Sequence, residues 1–262
     1  MTAETTYRHG SDWIEWTEAT GRDGARRRPV APDTLSIALS KAPADLRLVH
    51  GTSNTKLWRE RVAGSTGLQT ALLDTSLIPP APATLYEMAG VLSDPAGIFL
   101  PRRFSIMAGG GNGHAVALYR SPAGTKGVSR CGIRGSLAWI DGTPAAWALV
   151  RVQVAPSVGP PLDFSAQADA FGDFLLPLDR VPALTKDAPS GTYTTRLRVF
   201  ALPHVGRDSP LDPDTLPTVK VATGVNGSGK PVFAPKLTFQ LTPGVLTPVQ
   251  SPGLGRLAVQ AG

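Results

Sequence analysis

Residues 131–155 read CGIRGSLAWIDGTPAAWALVRVQVA, and residues 164–178 read FSAQADAFGDFLLPL. In ALVRVQVA the side chains alternate. Leu149, Arg151 and Gln153 point one way and Val150, Val152 and Val154 the other, the period of two of a strand with one face on a core. Gly142 and Pro144 supply a first turn and Asp169 and Gly172 a second, because these residues favour the dihedrals of tight turns. Phe174 then carries a large apolar ring into the following strand. The register predicts that Val150, Val152, Phe174 and Leu176 share one buried face.

The same grammar extends over the chain. Its 262 residues include 28 glycines and 25 prolines, about a fifth of the total, against roughly 12% in ordinary domains. Both residues break helices. Disorder is the competing reading, but 42% of the residues are hydrophobic, and they fall in short runs suited to strands. The net charge of +6 is spread over Arg26, Arg27, Arg28, Arg102, Arg103 and scattered arginines between 120 and 134. With only 6% aromatic residues, this is no basic stripe interleaved with stacking rings, and no nucleic acid is expected. The single cysteine, Cys131, excludes an internal disulfide and a cysteine zinc knuckle, which fits synthesis in a reducing bacterial cytoplasm. MTAETTYRHGSDWIEW has no signal-peptide pattern, and no run of about 18 apolar residues predicts a membrane span.

Four sections follow. Residues 1–32 read as an N-terminal arm with Trp13, Ile14 and Trp16 in a polar context. Residues 33–108 read as a first β domain, with strands at 34–39, 46–49 and 68–73, a helical turn near 56–62, and a strand or short helix at 84–92. GGGNG at 109–113 reads as a link. Residues 113–203 read as a second sandwich, with strands at 115–119, 133–140, 146–154, 164–168, 173–178 and 193–202. The proline-rich residues 204–262 read as an extended C-terminal arm with short strands at 218–222 and 236–241, open to pairing with a free sheet edge.

The stretch from Ile133 to Phe174 resembles the carboxypeptidase-regulatory-like or transthyretin-like sandwich. It carries Ile133, Gly135, Gly142, Pro144, Ala148, Val150 and Val152, then Ala168, Asp169, Gly172 and Phe174. The motifs that carry the resemblance lie within residues 131–178. It implies an Ig-like fold that serves as a spacer, a docking surface or a carbohydrate binder, and no particular chemistry. A leading β domain that closes on GIFLPRRF, with a long trailing arm, also resembles accessory structural proteins of contractile phage tails and related injection systems.

No catalytic, cofactor-binding or metal-ligating residues are expected. GVNGSGK at 224–230 has the spacing of a phosphate loop, but Pro231 takes the place of the magnesium-binding hydroxyl and blocks the helix that must follow. His9, His50, His114 and His204 stand singly, without ligand spacing. Cys131, between Arg130 and Arg134, reads as a small buried hydrophobe, and Asp169 as a turn former. Asn226 heads a glycosylation sequon that has no meaning in an unsecreted chain.

The expectation is therefore an all-β chain of two tandem sandwich domains with extended ends. It is non-enzymatic and works as a structural subunit of a phage tail, baseplate, collar or injection system. Its partners would be other structural subunits in a symmetric homo-oligomeric ring, located in the virion tail or assembled particle. Assembly contacts are assigned to Trp13, Ile14, Trp16, Val219, Val221, Leu237 and Phe239, on arms that pack away from their own body. A glycan- or host-surface-binding module is the alternative, with Trp139 or Trp147 exposed for stacking on sugars.

Overall fold

The computed structural model describes residues 12–24, 27–59, 85–125, 131–156, 159–178, 181 and 191–262. Within them the chain is all-β, and its only helical elements are the 3-10 turns Pro32–Thr34 and Pro213–Thr215. The first strands are β1 (Trp13–Glu18), β2 (Gly21–Arg22), β3 (Ser36–Lys41), β4 (Leu46–His50), β5 (Thr55–Arg59), β6 (Tyr86–Ser93), β7 (Arg102–Ala108) and β8 (Gly113–Leu118). There follow β9 (Gly132–Trp139), β10 (Leu149–Ala155), β11 (Leu162–Gln167), β12 (Asp173–Pro177) and β13 (Tyr193–Phe200). The last are β14 (Thr218–Val225), β15 (Pro231–Ala234), β16 (Leu237–Leu241), β17 (Leu246–Pro248) and β18 (Leu257–Gln260).

Three sheets form. A four-stranded sheet runs β4-β5-β1-β8 and a three-stranded sheet runs β3-β6-β7. Between them lies a core that includes Ile14, Trp16, Leu57, Met88, Leu92, Phe104 and Leu118. Trp16 is fully buried; it meets Phe104 edge to face, with ring centroids 5.7 Å apart, and its Nε1 donates to Thr55 Oγ1 at 2.9 Å. That bond satisfies the polar end of the indole and lets so large a ring enter the core.

The third sheet has eleven strands, ordered β12-β9-β18-β14-β13-β10-β11-β2, with β15 on β14, β16 on β13 and β17 on β9. Val150, Val152, Phe174 and Leu176 are all buried in its one core, as their alternation predicts. The turns are also where the sequence places them. Asp169 Oδ1 accepts from the amides of Phe171 and Asp173, and the Gly172 amide donates to the Asp169 carbonyl. Gly172 sits at φ +83°, and a Cβ there would lie 2.2 Å from the Leu137 carbonyl oxygen, so no other residue fits without moving backbone.

The structure differs from the sequence reading in three places. Residues 55–59 are a strand, not a helical turn: Thr55 and Leu57 face inward while Lys56 and Trp58 face out. Of the two readings left open near 84–92, the strand holds, as β6 over Tyr86–Ser93. The strand read at 115–119 is β8, which lies parallel to β1 in the four-stranded sheet and sends Val116 and Leu118 to the first core. The strand read at 68–73 lies outside the described residues.

The third difference concerns both ends. β1 is an interior strand, paired with β5 on one side and β8 on the other. β2, still within the N-terminal section, pairs with β11 of the large sheet. The C-terminal section supplies β14 to β18, which pair with β13, β9 and one another. The described residues of both end sections pair into the chain's own sheets, because their apolar residues alternate and complete those sheets' cores.

Arg102 ties the two cores together. Its side chain is 2% exposed. It donates to the carbonyls of Arg103 and Ala117, and to Asp212 Oδ1 at 2.6 Å and Asp214 Oδ2 at 2.9 Å. Burial pushes the Asp212 carboxyl above its ordinary value against the pull of Arg102, so the pair is desolvated at a cost and acts chiefly as a positional lock. Arg102→Met is expected to lower stability by about 2 kcal/mol, because it strands a partly buried carboxylate and a carbonyl. Adding Asp212→Asn should restore part of the loss. Urea denaturation of both variants checks this, and strictly additive losses would contradict the coupling.

Candidate functional site

The residues assigned to assembly divide cleanly. Ile14, Trp16, Val219, Val221 and Leu237 are buried inside the chain's own cores and have no surface for a neighbour. Trp13 and Phe239 keep partial exposure. The expectation that the terminal sections pack away from the body is therefore corrected for their described residues. Trp139 and Trp147 are buried too, so neither presents a stacking face for a sugar.

What the body does present is a set of apolar side chains on strand surfaces. Trp58 is 62% exposed. It stands opposite Arg47 on the outer face of the four-stranded sheet, where Val49, Lys56 and Trp13 also lie by register. The Trp13 indole covers Gly113: a Cβ there would lie 2.7 Å from the ring. Val225 and Val232 are exposed on the β14–β15 hairpin. Sequence reasoning missed Trp58 because it took residues 56–62 as a helical turn. The alternation of Thr55, Lys56, Leu57 and Trp58 was the available signal.

The remaining motifs resolve locally. Residues 224–230 close the β14–β15 hairpin: Asn226 Oδ1 accepts from the amides of Ser228 and Lys230, and Pro231 opens a strand rather than a helix. Cys131 packs against the large core.

Asp12 and His114 anchor the turn between β7 and β8. Asp12 accepts from the amides of Gly109 and Asn112 at 2.6 and 2.8 Å and contacts His114 Nε2 at 3.1 Å. Burial pushes its carboxyl up, but the bonds from His114, Gly109, Asn112 and Gly111 outweigh burial and hold it below its ordinary value of 3.8. A depressed carboxyl stabilises the fold above that ordinary value, and the contribution is lost as pH falls through the lower folded value. Stability should therefore drop below about pH 4, and Asp12→Asn should be less stable at neutral pH with a flatter acid limb. Urea midpoints across pH 3–7 check this, and parallel acid limbs would contradict it.

A cleft of about 340 Å³ opens at one end of the large sheet, lined by Thr143, Pro144, Ala146, His204, Val205, Gly206 and Arg207. The hairpin that carries Gly142 and the segment after β13 build it. Trp147 and His204 have φ of 62° and 60°, the only non-glycine residues in the left-handed region among those described. Trp147 Nε1 donates to the Gly206 carbonyl at 3.3 Å, so one strained residue pins the loop that carries the other. The Arg207 guanidinium lies 4.9 Å from the Phe171 ring centroid. Neither alternation nor motif spacing marks this region. His204 and Arg207 stand singly in a proline-rich stretch, and the fold alone brings them to the hairpin. No family model matches the chain, and neither curated proteins nor solved structures yield a match.

Proposed function

We propose that the chain is a non-enzymatic structural subunit of a multi-subunit particle. A phage tail, baseplate or collar, or a contractile injection system, is the setting that fits. In this reading the two cores are tandem Ig-like or transthyretin-like sandwiches, and copies of the chain meet in a symmetric ring.

The observation that carries the reading is a braced all-β body with large apolar side chains left on its strand surfaces, Trp58 above all. A contiguous apolar patch marks a contact surface; Trp58, Val49 and Trp13 share the outer face of the four-stranded sheet, on a body braced by Arg102 and by strands from both end sections. Subunit contacts then lie on the outer faces. The burial of Trp139 and Trp147 weighs against the glycan-binding alternative, which rested on their exposure.

Trp58→Ser and the pair Val225→Ser and Val232→Ser test the reading. At least one of them should reduce self-association in sedimentation velocity while leaving the melting temperature within a few degrees of the parent. Unchanged association in both would remove the observation on which the proposal stands.

A further inference from the structure

The cleft between residues 143–146 and 204–207 has a composition that packing does not explain. Left-handed backbone costs free energy at a residue with a Cβ, and it persists where the surroundings enforce it, often at ligand sites. Of the two such residues among those described, His204 lines this cleft, and the buried Trp147 lies behind it, tied to the lining residue Gly206 by its Nε1 bond.

The groups at the cleft have unused donors. The Arg207 guanidinium carbon lies over the Phe171 ring, 4.9 Å from its centroid, a contact that arginine makes with aromatic faces. Neither Arg207 nor His204 makes a hydrogen bond to the described residues. The nearby Asp141 carboxylate is engaged, accepting from the Thr143 amide at 2.8 Å and the Thr143 hydroxyl at 2.6 Å. These bonds, with a smaller contribution from His204, hold its carboxyl below the usual range. Arg256 donates to the Gly142 carbonyl on the same hairpin and adds positive charge. Between the donors, Pro144, Ala146 and Val205 give an apolar wall, and the exposed Phe171 flanks the opening.

We propose that this cleft binds a carboxylate carried on an apolar or aromatic group. The guanidinium of Arg207 takes the carboxylate through paired N–H donors, the geometry in which arginine exceeds lysine. His204 contributes a third donor, and the apolar portion lies against Pro144, Ala146 and Val205. A volume of about 340 Å³ is at the small end of ligand sites, enough for a single ring with its carboxylate. The site is separate from the exposed strand surfaces, so loss of self-association and loss of ligand binding are independent results.

Titration of the full chain with benzoate tests the proposal, followed through the Trp147 indole N–H and the His204 ring protons by NMR. Acetate and inorganic phosphate serve as comparison probes. Benzoate is expected to move both signals saturably in the millimolar range, with acetate and phosphate weaker. Arg207→Gln should weaken benzoate by about tenfold or more, the loss of a charge-assisted pair. Arg207 is exposed, so this variant should melt with the parent. The proposal is overturned if benzoate gives no saturable shift, if Arg207→Gln binds it equally well, or if phosphate binds as tightly as benzoate.

Discussion

A chain ending at Pro203 is expected to fail to fold. The residues beyond it supply Val219, Val221, Leu237, Leu241, Val249, Leu257 and Val259 to the large core. Burial of one such side chain is worth about 1.5–3 kcal/mol, so their joint loss exceeds the whole stability of roughly 5–15 kcal/mol that a typical domain has. The damage is also topological. β9 would lose β17 and β18 from one side, and β13 would lose β16 and β14. Arg102 would lose both carboxylates, leaving a buried cation. Insoluble expression, or far-ultraviolet circular dichroism with no cooperative melt, is the predicted outcome. A soluble fragment that melts cooperatively would show that the C-terminal strands are accessory to the body.

Phe174→Ala is expected to cost about 3–5 kcal/mol. Phe174 lies directly across from Gly135 on β9, and a Cβ at Gly135 would meet the ring at 2.9 Å. The ring therefore fills the space that the missing side chain leaves, and alanine cannot reach it. The melting temperature should fall by roughly 10 °C for a chain of this size. A loss under about 1 kcal/mol would mean that the strands around Gly135 close over the gap.

Phe174 and Gly135 also show why this part of the fold was legible. Alternation set the face of each strand, and Asp169, Gly172, Gly142 and Pro144 set the turns, so register followed from neighbours in sequence. The ends obey the same alternation: in WIEWTE, Ile14 and Trp16 turn inward while Trp13 and Glu15 turn outward. What the pattern does not contain is the partner. β1 lies parallel to β8, with Trp13 opposite Gly113, exactly the kind of distant pairing that no local signal announces.

Proline misled the reading of the C-terminal section. Pro213 opens a 3-10 turn, Pro217 precedes β14, Pro231 is the first residue of β15 and Pro248 the last of β17. Proline is tolerated at strand ends, where it removes no interior ladder bond. These residues punctuate the sheet without preventing it. The cleft was less legible still. His204 and Arg207 are far in sequence from Thr143 and Pro144, and no local pattern announces the left-handed backbone at His204 and Trp147.

The proposed subunit role rests on self-association through the outer faces, and native mass spectrometry of the purified full chain tests it most directly. The account predicts a discrete complex of several 27.4 kDa chains, dissociated by substitution at Trp58 or at Val225 and Val232. A single 27.4 kDa species across the micromolar range would contradict it.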